Sequence, residues 1–353
     1  MAYANSVQYY KENIMKKIFI IIALIGMLFG CAQTAQSDKI TIVTTMYPLY
    51  DFSQKVGGDK VEVINLTEGL GSSHGFELSA QDKVKIEKAD IFVYNGAGME
   101  SWIDSLVNSI ENKDLILVDS SKDVTLLPSS HTHEDEEEHD HDHDHDHENE
   151  EEHDHEEEHE HNHEEEEHDH EEEHDHAHGE YDPHIWLYPL NAKVQMRNIM
   201  DALIKVDESN KNYYEGNFEE YSKKFDELNT KYLEATKTFT YDTIVVNHKA
   251  FGYITENYGL HQVSISGVHA DSEPSAKVLA EIIAFVKENN VKYILIETLG
   301  NQKVVDTIQN EADVQIEVLS PIEVLTSEQI SAKEDYFSMM EKNLEVLKKV
   351  LND

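Results

Sequence analysis

The stretch YYEGNFEEYSKKFDELNTKYLEATKTF, residues 213–239, predicts a long helix in the middle of the chain. Its large apolar side chains recur at steps of three and four residues, which places them on one face of a helix. They are Tyr214, Phe218, Tyr221, Phe225, Leu228 and Tyr232. A helix of about 30 residues rises roughly 45 Å. That length is enough to join two lobes, so we interpret residues 201–239 as a linking helix.

Short apolar runs rich in Val and Ile lie on both sides of this helix and alternate with helical patterns. The runs are ITIVTT (40–45), VEVINL (61–66), DIFVYNG (90–96) and LILVD (115–119), and later DTIVVN (242–247), HQVSIS (261–266), KYILIET (292–298) and VQIEVL (314–319). Strands that alternate with helices are typical of βαβ units and parallel sheets. The sequence therefore predicts an α/β protein of two lobes, residues 40–200 and 240–353, with a ligand site in the cleft between them.

Residues 131–178 interrupt the first lobe with a segment built almost entirely of His, Asp and Glu. It holds 17 of the 22 histidines and 27 of the 72 acidic residues, so only 17 of the 44 net negative charges lie elsewhere. A segment with almost no apolar side chains to bury cannot pack, which predicts a disordered loop. Neutral imidazoles among carboxylates attract and bind cations, so we expect the loop to contact metal. A solvated acidic linker without further role is the alternative.

The amino-terminal region is typical of an exported protein. Two lysines precede the apolar run IFIIIALIGMLFG (18–30), which has the length of a signal peptide and ends directly before Cys31. The junction LFGC resembles a bacterial lipobox and implies a lipid anchor on Cys31, whereas an ordinary signal peptide is the alternative. We expect Met15 to be the true start, residues 1–31 to be the signal peptide with its lipobox, and residues 32–39 to be a tether. A nucleic-acid partner is not expected, because no cluster of Lys and Arg is present.

Three of the five histidines outside the insertion lie where a predicted strand or loop opens onto the cleft. His74 lies in GLGSSHGFELSAQD, His184 in DPHIW, and His248 in VVNHKAFGY, directly after a predicted strand. Imidazole suits zinc, and three imidazoles with one oxygen ligand complete a tetrahedral zinc site. Glu297, at the end of YILIE, is the candidate for the oxygen ligand, and water is the alternative.

The remaining candidates receive simpler interpretations. Glu77 lies three residues after His74 and is a weaker ligand candidate that could instead orient an imidazole. His261 begins a predicted strand and His269 lies in the polar loop SGVHADSEPS, so both are interpreted as structural residues. No Cys or Met cluster accompanies the histidines, which disfavours Cu(I).

Seven segments resemble, in their order and spacing, the zinc- and manganese-binding solute receptors of bacterial ABC importers, known as cluster A-I. They are YPLYDFSQKVGGDKVEV, SSHGFELSAQD, KADIFVYNGAGMESW, YDPHIWLYPLNA, VVNHKAFGYITENYGL, EPSAKVLAEI and PIEVL. The resemblance runs from about Ile40 to the C-terminus apart from the insertion, and it implies two lobes with a metal ion between them.

This resemblance also implies the ligands of the metal. His74, His184 and His248 match the ligand positions of the family, although Leu78 stands near the first of them where the family has proline. Glu297 matches the position where an acidic fourth ligand is often found. Manganese members tend to have glutamate at the third position, so His248 implies zinc rather than manganese.

The function that the resemblance implies is binding and delivery, not catalysis. We expect a lipid-anchored, extracytoplasmic monomer that delivers Zn²⁺ to a membrane ABC permease and its ATPase, with the His-rich loop as an auxiliary collecting or sensing element. Two alternatives stay open. A zinc hydrolase would need a general base beside the metal, and no predicted helix carries the motif H-E-x-x-H. In a metal-dependent adhesin or storage protein, the acidic insertion would be the functional part.

Overall fold

A computed structural model describes residues 39–70, 73–129, 180–264, 276–297 and 302–353. The predictions for the signal peptide with Cys31, for the insertion at 131–178 and for His269 lie outside these residues. Within the described ranges, no helix is both long enough and apolar enough to cross a membrane.

The first lobe is built on a four-stranded parallel sheet with strand order β2-β1-β3-β4. The strands are β1 (Ile40–Thr44), β2 (Val61–Asn65), β3 (Ile91–Tyr94) and β4 (Ile116–Asp119), and the helices are α1 (Tyr47–Gly57), α2 (Ala80–Glu87) and α3 (Ile103–Ser109). Adjacent residues of the central strands, such as Ile42 and Val43, are both buried. Helices cover both faces of a parallel sheet, which explains why the strands are runs of Val and Ile without alternation.

Two helices lead from the first lobe to the second, α4 (Pro189–Val206) and α5 (Lys211–Thr236). Asp207 separates them, because its carboxylate accepts hydrogen bonds from Ser209 Oγ at 2.5 Å, Asn210 Nδ2 at 2.5 Å and Tyr214 OH at 2.9 Å. The longest helix of the described residues is α5, and its predicted apolar stripe packs into the core. The stretch that we interpreted as the linking helix is therefore divided between the end of α4 and all of α5.

The second lobe repeats the architecture of the first, with parallel strand order β6-β5-β7-β8. Its strands are β5 (Thr243–Val246), β6 (His261–Ser264), β7 (Tyr293–Ile296) and β8 (Gln315–Val318), and its helices are α6 (Gly252–Tyr258), α7 (Ala276–Glu288), α8 (Gln302–Ala312), α9 (Ser327–Ser331) and α10 (Tyr336–Val350). The predicted fold of two parallel α/β lobes joined by a long helix is confirmed.

The lobes are held together by a shared core around α5. The ring of Phe225 in α5 lies 5.7 Å from Phe52 of α1 and 5.7 Å from Tyr336 of α10, while Phe52 and Tyr336 are 5.0 Å apart. Beside these rings, the ammonium group of Lys55 pairs with Asp335 at 3.0 Å. Close-packed protein interiors resist deformation, so the shared core favours small relative movements of the lobes.

Candidate metal centre

Three histidines that are far apart in the sequence lie together at the facing edges of the two sheets. His74 belongs to the loop after β2, His184 precedes a short 3₁₀ turn (Ile185–Leu187), and His248 lies two residues beyond β5. The Nε2 atoms of His74 and His184 are 3.0 Å apart. The ring of His248 lies 5.1 Å and 5.0 Å, centre to centre, from those two rings. Three imidazoles from both lobes therefore share one small volume.

The fourth member of the group is Glu323, which the sequence analysis did not single out. Its Oε1 lies 3.1 Å from Nε2 of His74 and 3.6 Å from Nε2 of His184. One potential ligand atom from each of the four residues lies within 4.8 Å of the others, and none of the four is more than 7% exposed. The group is a buried set of three nitrogen donors and one oxygen donor.

Glu323 reaches the group through a turn that follows β8. Ile322, directly before it, has a φ of 61°, a conformation that is strained for a β-branched residue and must be held by its surroundings. The indole nitrogen of Trp186 donates to the carbonyl of Pro321 at 2.7 Å, and the amide of Tyr47 donates to the carbonyl of Glu323 at 3.1 Å. Two first-lobe residues thus hold the turn of the second lobe that carries the carboxylate.

Glu297, the predicted fourth ligand, lies next to the group and not within it. It follows β7 directly, and its carboxylate contacts Nδ1 of His248. Its amide also donates to Asn247 Oδ1 at 3.1 Å, which fixes the backbone beside β5. A carboxylate bound to the outer nitrogen of a metal-binding imidazole orients that ring. The ligand role of Glu297 stays a prediction, and Glu323 is the carboxylate that the structure brings to the two Nε2 atoms.

The other sequence candidates lie outside the group. Glu77 is exposed on the loop that carries His74, and His261 is exposed at the start of β6. Neither belongs to the four-residue group. The orienting role considered for Glu77 and the structural role of His261 stay predictions.

Asp182 orients His184 in the same way that Glu297 orients His248. Its Oδ1 lies 2.7 Å from Nδ1 of His184 and also accepts the His184 amide at 3.0 Å. Burial alone would lower the pKa of His184, but Asp182 and Glu323 raise it to about 9. The bond at Nδ1 directs Nε2 of His184 toward His74 and Glu323, as in carboxylate–histidine–metal arrangements.

The carboxylate of Glu323 is ionised despite its burial. Burial by itself raises a carboxyl pKa, but the adjacent His74 and His184 outweigh it and hold the pKa of Glu323 well below its usual value. An ionised carboxylate is the form that binds a metal ion.

The distances in the group fit a tetrahedral ion. Zinc bonds of about 2.0–2.1 Å place neighbouring ligand atoms of a tetrahedron about 3.3–3.4 Å apart. The three separations among His74 Nε2, His184 Nε2 and Glu323 Oε1 are 3.0, 3.1 and 3.6 Å, which bracket that value. Three imidazoles and one carboxylate oxygen suit Zn²⁺ better than Mg²⁺, Ca²⁺ or Mn²⁺, which prefer oxygen ligands in larger number.

Comparison with known proteins agrees with the fold and with zinc as the metal. The zinc-binding lipoprotein AdcA of Streptococcus pneumoniae (strain ATCC BAA-255 / R6) is 37% identical over 338 residues, which cover 95% of this chain and 61% of that protein. The chain thus spans less than two thirds of the length of this relative. The high-affinity zinc uptake system protein ZnuA of Bacillus subtilis (strain 168) is 35% identical over 338 residues, covering 94% of this chain and 96% of that protein.

A solved structure shows the same architecture. The Zn(II)-bound ZnuA-like domain of Streptococcus pneumoniae AdcA matches with a TM-score of 0.70 and 33% identity, over 89% of this chain and 100% of that domain. The resemblance inferred from the sequence motifs is confirmed, and with it the expectation that this is not an enzyme family. The sequence model of the family described as zinc-uptake complex component A, periplasmic (ZnuA), matches residues 42–350. The chain therefore belongs to the ZnuA family.

Proposed function

We propose that this chain is the receptor of a zinc-uptake system, which binds Zn²⁺ between its lobes and delivers it to an ABC permease and its ATPase. The observation that carries the proposal is the buried convergence of His74, His184, His248 and Glu323. Relatives named for zinc binding and zinc uptake support it. Zinc is the cargo of the protein, and no covalent chemistry is involved.

The ligands divide evenly between the lobes, which gives the ion a role in holding them. His74 and His184 come from the first lobe, and His248 and Glu323 come from the second. Nδ1 of His248 contacts Glu297, so we assign Nε2 of His248 to the ion. A bound ion joins the lobes directly, and release to a permease requires at least one pair of ligands to move away. The shared core around Phe225 favours a small movement for this step.

The same geometry argues against the alternative of a zinc hydrolase. A catalytic zinc ion has three protein ligands and keeps a fourth position for water. With Glu323 added to the three imidazoles, the four tetrahedral positions are occupied by side chains. Such a closed site suits binding and release of the ion, not activation of a water molecule.

The segments outside the described residues complete the proposal. Lipid on Cys31 would anchor the receptor to the outer surface of the cell membrane, and the name lipoprotein carried by AdcA supports this. The insertion at 131–178 would collect or sense zinc. We propose a monomer, because two lobes of one chain supply all four ligands.

Deletion of residues 132–177 separates the receptor from a storage protein whose metal sites lie in the insertion. The flanks are already paired, since the amide of Ser129 donates to the carbonyl of Glu180 at 2.9 Å and Pro128 bridges to Tyr181. We therefore expect the shortened chain to fold and to retain one tightly bound zinc ion after dialysis against a chelator. Metal analysis measures the number of ions per chain, with the full chain as control. Loss of nearly all zinc in the shortened chain would support the storage function instead.

A further inference from the structure

Ser73 holds one of the two carboxylate oxygens of Glu323. Its hydroxyl donates to Oε2 at 2.7 Å, and its amide donates to the same oxygen at 3.1 Å. Both residues are buried. Ser73 directly precedes His74 on the first lobe, whereas Glu323 belongs to the second lobe, so these hydrogen bonds cross the cleft.

The two oxygens of Glu323 therefore face different partners. Oε1 points to the histidines, at 3.1 Å from Nε2 of His74 and 3.6 Å from Nε2 of His184, while Oε2 is held by Ser73. A carboxylate can bind a metal ion through one oxygen or through both. An oxygen that already accepts two hydrogen bonds in a buried site loses them when it turns to the ion, which opposes binding through both oxygens.

We propose that Ser73 is a positioning residue that sets the metal preference of the site. By holding Oε2, it keeps Glu323 a ligand through Oε1 alone and keeps the coordination number at four. Four ligands of nitrogen and oxygen suit Zn²⁺, whereas Mn²⁺ prefers octahedral sites with more oxygen ligands. Ser73 thereby disfavours Mn²⁺, which would gain a further oxygen ligand if Oε2 turned to the ion. This inference rests on the proposed zinc site.

Of the two hydrogen bonds that Ser73 donates to Oε2 of Glu323, a substitution can remove the one from the hydroxyl. In Ser73→Ala the amide contact at 3.1 Å remains, but the shorter contact at 2.7 Å is lost. We expect Oε2 to turn toward the ion and raise the coordination number to five. Substitutions of residues that orient a ligand change metal affinity by about 10–100-fold, so we expect the ratio of Zn²⁺ to Mn²⁺ affinity to fall about tenfold.

The experiment compares the full chain with its variant Ser73→Ala. Each protein is first loaded with one equivalent of Co²⁺, and its visible absorption spectrum is recorded. The affinities for Zn²⁺ and Mn²⁺ are then measured in competition with a chelator. The unmodified chain is expected to show the strong visible absorption of four-coordinate Co²⁺, and Ser73→Ala the weaker absorption of five-coordinate Co²⁺. Ser73→Thr keeps a hydroxyl and is expected to show the spectrum of the unmodified chain. Ser73→Val has the shape of the threonine variant without its hydroxyl, and it is expected to show the spectrum of Ser73→Ala. If Ser73→Ala does not fold, the comparison of Ser73→Thr with Ser73→Val still shows whether the hydroxyl controls the coordination number.

Ser53→Ala is the matched control, because Ser53 is a buried serine of α1 whose hydroxyl has no hydrogen-bond partner among the described residues. It is expected to change neither the spectrum nor the ratio of affinities. If the unmodified chain, Ser73→Ala and Ser73→Val have identical spectra and identical ratios of Zn²⁺ to Mn²⁺ affinity, the proposed role of Ser73 is wrong. The proposed zinc site would not be affected by that result. Absence of tight zinc binding in the unmodified chain would instead overturn the proposed function itself.

Discussion

His248→Ala is expected to lower the affinity of this chain for zinc by two to three orders of magnitude. Zinc sites with four protein ligands bind with about 10–16 kcal/mol, so one ligand accounts for roughly 3–4 kcal/mol, or a factor of about 10² to 10³. The loss also removes one of the two links between the ion and the second lobe. Chelator competition in the chain shortened by residues 132–177 measures the change without contribution from the histidines of the insertion.

His261→Ala is the matched control for this substitution. His261 is an exposed histidine at the start of β6, where it pairs with the first residue of β5, the strand that precedes His248. Its removal is expected to leave zinc affinity unchanged. Thermal unfolding gives an independent readout, because a ligand that binds only the folded state raises the midpoint. That rise should persist in His261→Ala and be clearly smaller in His248→Ala; an undiminished rise in His248→Ala would refute its role as a ligand.

Glu323→Gln is expected to weaken zinc binding by about 100-fold or more, by the same division of the binding energy among the ligands. Glutamine has the shape of glutamate, so the buried turn at Pro321–Glu323 should keep its packing, while the negative charge facing the ion is lost. Without that charge, three neutral imidazoles would hold a divalent cation in a buried site. Chelator competition in the shortened chain measures the loss.

Glu297→Gln is the comparison that decides between the two carboxylates. A partner that only orients His248 affects affinity by about 10–100-fold at most, so we expect a smaller loss than for Glu323→Gln. The opposite order, with the greater loss in Glu297→Gln, would assign the fourth ligand to Glu297, as the sequence analysis predicted. Glu323 would then support the ligands without binding the ion itself.

The two-lobe fold could be predicted from sequence because its signals are local. Parallel strands are buried on both faces, so continuous apolar runs such as TIVV and YILI indicate them. The spacing of the aromatic residues around Phe225 indicates the helix α5. The break before α5 also has a local cause, since Asp207 bonds to residues two to seven positions later. Signals of this kind require no knowledge of distant contacts.

The candidate site was only partly predictable, because one of its members is placed by distant contacts. His248 follows a strand directly, and its neighbourhood on the chain indicates a site. Glu323 also follows a strand, in the run PIEVL, but its direction depends on the positive φ of Ile322 and on bonds from Trp186 and Tyr47, more than 130 residues away. Position at the carboxyl end of a strand made Glu297 a candidate, whereas Glu323 lies five residues beyond the end of β8. The structure separates them, because Glu297 contacts Nδ1 of His248 whereas Glu323 lies beside Nε2 of His74 and of His184.

We propose that His74, His184, His248 and Glu323 bind a single zinc ion. A crystal structure of the zinc-loaded chain, with anomalous diffraction at the zinc edge, tests it most directly. We predict one strong anomalous peak in the cleft, at about 2.0–2.1 Å from a nitrogen of each histidine and about 2.0–2.2 Å from Oε1 of Glu323. A peak elsewhere in the fold, or a zinc ion in the cleft bound by Glu297 with Glu323 turned away, would contradict the account.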